Sequence, residues 1–250
     1  MTFPTLSYTI WFSQRVGSTW LCDMLARLGN AGRPGEHLSF PDTAAVFEHY
    51  GTTEPAEVLA RIHALGSTDN GVFGIKQGFS QPRFDRVLAA IDADAARGLE
   101  QPPIAVWEAV FPCHHHVFLT RRNKLRLAVS WWKAIKSDEW HRRHNEHPAD
   151  ADLADAYDAN ALRQLLAEAV MREAGIGEIL NEAGVAPLTI FYEDMVLDPQ
   201  RELSRILALL ELPQVAVPHS DLEVLADDLS EAWVQRFRRE LQQGWTNTGW

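Results

Sequence analysis

At 250 residues, 46% of them apolar, the chain has enough material for one large buried core, and no Pro/Gly/Ser-rich linker divides it. A formal net charge of −11 excludes the broad basic field that a nucleic-acid surface needs, and no run of about eighteen apolar residues is present to span a bilayer. A small, locally basic pocket for an anionic molecule is still compatible with that balance.

One domain over residues 1–250 is therefore expected, with no stable membrane insertion. The first eight residues lack the basic start and long apolar stretch of a secretory leader, so a cytoplasmic protein is expected. Cys22 and Cys113 have no CxxC spacing. They fall in an expected buried helix and at the entry to a strand, where a reduced thiol behaves as a small apolar group.

In chain order, residues 6–13 are a short run of aromatic and branched side chains, the pattern of a buried strand. A glycine turn follows. Residues 18–28 then put Trp20, Leu21, Met24, Leu25 and Leu28 at helical spacing, with Gly29 able to supply the positive φ that ends a helix. Further strands are expected at 72–76, 116–120 and 188–192. A helix should follow the strand at 116–120, over 125–136. The His- and Arg-crowded stretch 141–147 reads as an exposed loop, and the Ala-rich, amphipathic stretch 148–183 as one or two long helices. Asp198-Pro199 fits an N-cap with proline in the first turn, opening a helix with Leu203, Ile206, Leu207 and Leu210 in one stripe. Strands alternating with helices imply an α/β fold, a mainly parallel central sheet flanked by helices.

Two segments carry chemistry. In Ser13-Gln14-Arg15-Val16-Gly17-Ser18-Thr19-Trp20 a strand runs through a glycine turn into a helix. Successive backbone N–H groups and the helix dipole favour an anion there, Ser18 and Thr19 add hydroxyl donors, and Arg15 adds a full charge. The same residues also fit a plain helix start, with Ser18 or Thr19 as N-cap and Arg15 in solvent. The loop is not a Walker A motif, which needs lysine directly before the hydroxyl residue. The second segment, Thr120-Arg121-Arg122-Asn123 with Lys124, Arg126 and Ser130, puts positive charge at a helix start, which opposes the dipole unless an anion sits there.

The first loop resembles the 5'-phosphosulfate loop of sulfotransferases that use 3'-phosphoadenosine 5'-phosphosulfate (PAPS), and its Ser-Gln-Arg-x-Gly-Ser-Thr-x-Leu wording is similar to the bacterial trehalose sulfotransferase family. In the eukaryotic cytosolic branch a lysine stands where Arg15 falls. The double-arginine segment resembles that family's 3'-phosphate motif. Arg122 and Ser130 have the spacing of the cytosolic branch, and Arg121 is the alternative in the bacterial branch. Phe191-Tyr192-Glu193-Asp194-Met195 is similar to a stretch that lies near the adenine.

The resemblance implies a P-loop-like fold, PAPS as co-substrate with release of PAP, and no metal. It assigns nucleotide contacts to Gln14, Arg15, Val16, Gly17, Ser18, Thr19, Trp20, Arg121, Arg122, Ser130 and Tyr192. It also implies charge stabilisation by Arg15 and by Lys76 of Gly74-Ile75-Lys76, and Glu36 as the base that takes the acceptor's proton. His37, which titrates near neutrality without tuning, is the competing base. The acceptor is expected to be a small hydroxyl compound, a carbohydrate or glycolipid, met by segments 38–50 and 141–155. Related enzymes include homodimers, on which the spacing is silent. The tail 230–239, with its Trp, Phe and basic residues, fits either a nucleotide cover or a packed helix. His114 and His116 share a strand face without an identifiable third ligand, which favours a structural role over a metal. The competing readings are a magnesium-dependent small-molecule kinase and a non-catalytic nucleotide-binding protein of the same fold.

Overall fold

A computed structural model of the protein describes residues 4–92 and 102–246; of the opening segment read above as leader-free, residues 1–3 lie outside the described residues. The chain packs as two compact units, Met1–Thr120 with Arg172–Ser220, and Arg121–Met171 with Asp221–Trp250. Among the described residues no helix is long and apolar enough to cross a membrane.

The first unit is built on four strands, β1 (Leu6–Phe12), β2 (Val72–Gly78), β3 (His114–Thr120) and β4 (Leu188–Phe191), in the order β2-β1-β3-β4 and parallel throughout. Residues 7–12 of β1 are all buried, as a central parallel strand covered on both faces requires. The helices in chain order are α1 (Ser18–Arg27), α2 (Thr43–Tyr50), α3 (Pro55–Gly66), α4 (Gln81–Ile91), α5 (Pro103–Val110), α6 (Lys124–Ser137), α7 (Ala159–Glu182), α8 (Tyr192–Leu197), α9 (Pro199–Leu209) and α10 (Asp228–Leu241). The α/β expectation holds, and the caps read from sequence are in place: Gly29 has φ 73 after α1, and the Asp198 carboxylate accepts from the Arg201 N–H at 3.0 Å with Pro199 in the first turn of α9.

Several boundaries move. The fourth strand stops at Phe191, because Tyr192 opens α8, with Glu193 and Asp194 in the first turn where the helix dipole favours them. The expected helices over 148–183 reduce to α7. Upstream of it, aspartates compete for the backbone: Asp152 accepts from the Ala154 N–H at 3.0 Å, and Asp158 accepts from Asn160 and Ala161 at 2.8 and 3.1 Å, which caps α7. Cys22 is buried in α1 as expected, and Cys113 stands at the entry to β3 as expected, exposed, with φ 44.

In the second unit α6, α7 and α10 share a core of Ala128, Val129, Leu162, Trp233, Val234 and Phe237. The Asp227 carboxylate caps α10 at the Ser230 N–H (2.9 Å) and pairs with Lys133 at 2.5 Å. The tail expected at 230–239 is thus a packed helix whose Trp and Phe are core residues.

One face of the sheet carries a polar chain inside the apolar core of the first unit. The Trp107 indole donates to Thr9 Oγ1 at 2.8 Å, and Ser7 Oγ donates to the Pro112 carbonyl at 2.6 Å. His114 lies between, with Nδ1 at 2.8 Å from Ser7 Oγ and Nε2 at 2.8 Å from Thr9 Oγ1. Because Ser7 spends its proton on Pro112, Nδ1 must be the donor; Nε2 therefore accepts from Thr9, and the ring is neutral. Next to it Trp11 donates to His116 Nδ1 at 2.9 Å, leaving His116 Nε2–H to face Glu108 at 2.9 Å. The two histidines read from sequence as structural are thus fully used within the fold.

Burial holds the pKa of His114 well below 6.5, lowers that of His116, and pushes His63 down to about 4. Each group is neutral in the fold and takes a proton in the unfolded chain below 6.5, so stability must fall as pH drops through that value. Denaturant unfolding at successive pH values from 7.5 to 5 should show this decline. Thr9→Val, which strands the Trp107 N–H and His114 Nε2, should cost about 1–3 kcal/mol for each orphaned group and steepen nothing in the pH profile above 6.5.

Candidate active site

In a parallel sheet of order β2-β1-β3-β4 the chain reverses its winding between β1 and β3, and ligands of such sheets bind beyond the C-terminal ends of the strands at that point. The turn of residues 13–17 leaves β1 there. Ser13 and Val16 are fully buried, and Arg15 has φ 62 and Gly17 φ 82. A left-handed non-glycine residue costs roughly 1–3 kcal/mol, so the surrounding packing holds Arg15 in place.

Gly17 is the N-cap of α1, and Leu21 N–H makes the first helical bond, to the Gly17 carbonyl at 3.1 Å. Ser18 and Thr19 therefore stand inside the first turn, which removes the reading in which one of them caps the helix. A glycine cap brings no side chain to the amides of Ser18, Thr19 and Trp20. A Cβ on Gly17 would lie 2.7 Å from the Tyr192 ring, so the tyrosine that opens α8 packs against the turn.

Glu36 and Lys76 come together. The segment leading to Glu36 runs along β2: Gly32, with φ 77, approaches so closely that a Cβ would sit 2.7 Å from the Gly74 nitrogen, and the Lys76 N–H donates to the Gly35 carbonyl at 3.0 Å. The Lys76 residue is 8% exposed. Its ammonium meets Glu36 Oε1 at 2.9 Å and Thr19 Oγ1 at 3.3 Å, and stands 5.4 Å from the Phe12 ring centroid. One buried cation thus joins the candidate base to a hydroxyl of the first turn of α1. The neighbouring Cys22 thiol is pushed up to about 12 by burial and is inert at neutral pH.

His37, the competing base, is directed elsewhere. Its Nε2 faces the Arg33 carbonyl at 3.4 Å, its ring packs on Gly35, and burial lowers its pKa. Its own carbonyl accepts from the Tyr50 hydroxyl at 2.6 Å, and Tyr50 clusters with His49 and Phe40 at centroid distances of 4.8 and 6.2 Å.

Two residues of α7 that carried no sequence signal also reach the turn. Glu173 accepts from Ser13 Oγ and from Thr120 Oγ1, each at 2.9 Å, and Arg172 donates to the Gln14 amide oxygen at 2.6 Å. In the sequence they are two polar positions in a long amphipathic helix, indistinguishable from solvated ones.

In the second unit Asn123 caps α6, accepting from the Arg126 N–H at 3.0 Å, and Lys124 donates to the Arg121 carbonyl. Arg126 pairs with Glu231 at 2.6 Å. Part of the positive charge at this helix start is therefore met by a carboxylate of the protein, which weakens the sequence argument from the dipole alone. Arg121 is half-buried, Arg122 exposed, and Ser130 half-buried one and a half turns into α6.

Over 265 residues the chain is 26% identical to a trehalose 2-sulfotransferase of Mycolicibacterium smegmatis, covering 96% of this chain and 97% of the relative. It is also 26% identical over 258 residues to a trehalose 2-sulfotransferase of Mycobacterium tuberculosis, covering 93% and 94%. A solved sulfotransferase from Alicyclobacillus acidocaldarius superposes with a TM-score of 0.51 at 15% identity, covering 97% and 95% of the two chains, which establishes the shared fold. The Stf0 sulphotransferase family matches residues 7–240, so the chain belongs to that family and is a sulfotransferase.

Proposed function

We propose that the protein transfers a sulfuryl group from PAPS to a hydroxyl of a small sugar, with release of PAP. The observation that carries this reading is the contact of Lys76 with both Glu36 and Thr19, which couples a carboxylate to the first turn of α1. Family membership sets aside the magnesium-dependent kinase and the non-catalytic binder.

In this reading the amides from Val16 to Trp20, with Gln14, receive the phosphosulfate, and Arg15 and Lys76 balance its charge. The acceptor oxygen forms a bond to sulfur as the bond from sulfur to the bridging oxygen breaks. The acceptor proton passes to the Glu36 carboxylate, and the negative charge left on the 5'-phosphate of PAP falls to Arg15, Lys76 and the amides. The half-exposed Glu36 is open to an acceptor, whereas His37 is turned to Arg33, which favours Glu36 as the base.

Ser130 and one of Arg121 and Arg122 take the 3'-phosphate, and Tyr192, beside Gly17, takes the adenine. The sugar is carried over from the two trehalose 2-sulfotransferases to which the chain is similar.

Glu36→Gln should lower turnover by about two to four orders of magnitude while PAP affinity stays near the original, checked by steady-state rates and calorimetry. PAP should raise the melting temperature where ADP at equal concentration does not, and sulfuryl transfer should persist in EDTA; equal stabilisation by ADP would remove the 3'-phosphate from the reading. Gly17→Ala puts a methyl into the Tyr192 ring at an unfavourable φ and should abolish PAP binding by calorimetry.

A further inference from the structure

Ser13 and Thr120 end neighbouring parallel strands. β1 and β3 are in register through Phe12 and Leu119, so the next residues on each strand, Ser13 and Thr120, stand side by side where the sheet changes its winding. Both are buried, and both hydroxyls donate to one carboxylate, Ser13 to Glu173 Oε1 and Thr120 to Glu173 Oε2. Ser13 immediately precedes the anion-turn residues 14–17, and Thr120 immediately precedes Arg121 and Arg122.

The adjacent Arg172 holds the Gln14 amide oxygen, and the Gln14 amide nitrogen lies close to Gly78 at the end of β2, 3.9 Å from the position of a Cβ there. Two consecutive residues of α7 therefore fix the departure points of the chain from β1 and β3 and the direction of Gln14 toward β2.

A carboxylate at this place works against an anionic ligand by Coulomb repulsion. The geometry gives it a different role: each oxygen takes one strand-end hydroxyl, so the carboxylate acts as a spacer of fixed width between the ends of β1 and β3.

We propose that Glu173 is a positioning residue for the nucleotide: it touches neither donor nor acceptor, and sets the spacing of the strand ends from which the two nucleotide-binding segments start, with Arg172 orienting Gln14. This rests on the PAPS reading above. A glutamine at 173 keeps the width, since its oxygen accepts from one hydroxyl and its NH2 donates to the other, while removing the repulsion. An alanine keeps the helix and loses both links.

The test measures PAP affinity by calorimetry, KM for PAPS and for the acceptor, and melting temperature. Glu173→Ala should raise the PAP Kd and the KM for PAPS by about tenfold or more with the acceptor KM unchanged. Glu173→Gln should restore both to the original values or better. If Glu173→Ala is poorly folded, the Ser13→Ala and Thr120→Val pair, which removes the two donors and leaves the carboxylate, should give the same selective rise. Unchanged PAP affinity in Glu173→Ala or in the donor pair, equal loss in the Gln variant, or a matching rise in acceptor KM would overturn the assignment. Failure of the unmodified protein to bind PAP would instead sink the donor reading itself, together with this inference.

Discussion

Taking an ammonium out of water demands a counter-charge, and at Lys76 that demand organises the first unit. The lysine lies on a strand buried on both sides, so its charge is sustained by Glu36, by Thr19 and by the face of Phe12. To supply Glu36, the chain after α1 must be laid along β2, which explains why Gly32 lies against the Gly74 backbone: a side chain at Gly32 would push the segment away, and one at Gly74 would strike Tyr8, whose hydroxyl holds the Ala31 carbonyl. The catalytic proposal and the fold share this one constraint.

The polar atoms of the sheet are divided by face. On one side Ser7, Thr9, Trp11, His114 and His116 close a chain of hydrogen bonds with Trp107 and Glu108, each proton assigned by its neighbour. On the other, Tyr8 reaches the Ala31 carbonyl at 2.7 Å beside Gly74, and Lys76 reaches Glu36. The satisfied face stabilises and specifies the register of β1 against β3; the face with the buried ammonium is the one to which the proposed function assigns the chemistry.

Strain and negative charge both collect where β1 ends. Arg15 and Gly17 have positive φ, Tyr192 closes on Gly17, and Glu173 stands between the strand ends. The two hydrogen bonds to Glu173 and the packing of Tyr192 hold the strained turn in one form. Under the proposed function its amides and side chains are thereby preset, so that little reorganisation remains when the donor binds.

The sequence by itself determined the alternation of strands and helices, the turn after β1 and the cap at Asp198, because each is a local pattern of period, glycine or cap; Glu36 and Lys76 entered as separate candidates through a family resemblance. It misplaced the helix before Ala159, where the aspartates that bond nearby backbone were read as part of an alanine-rich helix. Only the tertiary structure decided that Glu36 meets Lys76 and Thr19, that His37 turns to Arg33, and that Arg172 and Glu173 reach Gln14, Ser13 and Thr120. Those contacts join residues up to 160 positions apart. A polar residue on a helix carries no mark of its distant partner, and the partner is chosen by how the strands are ordered in the sheet.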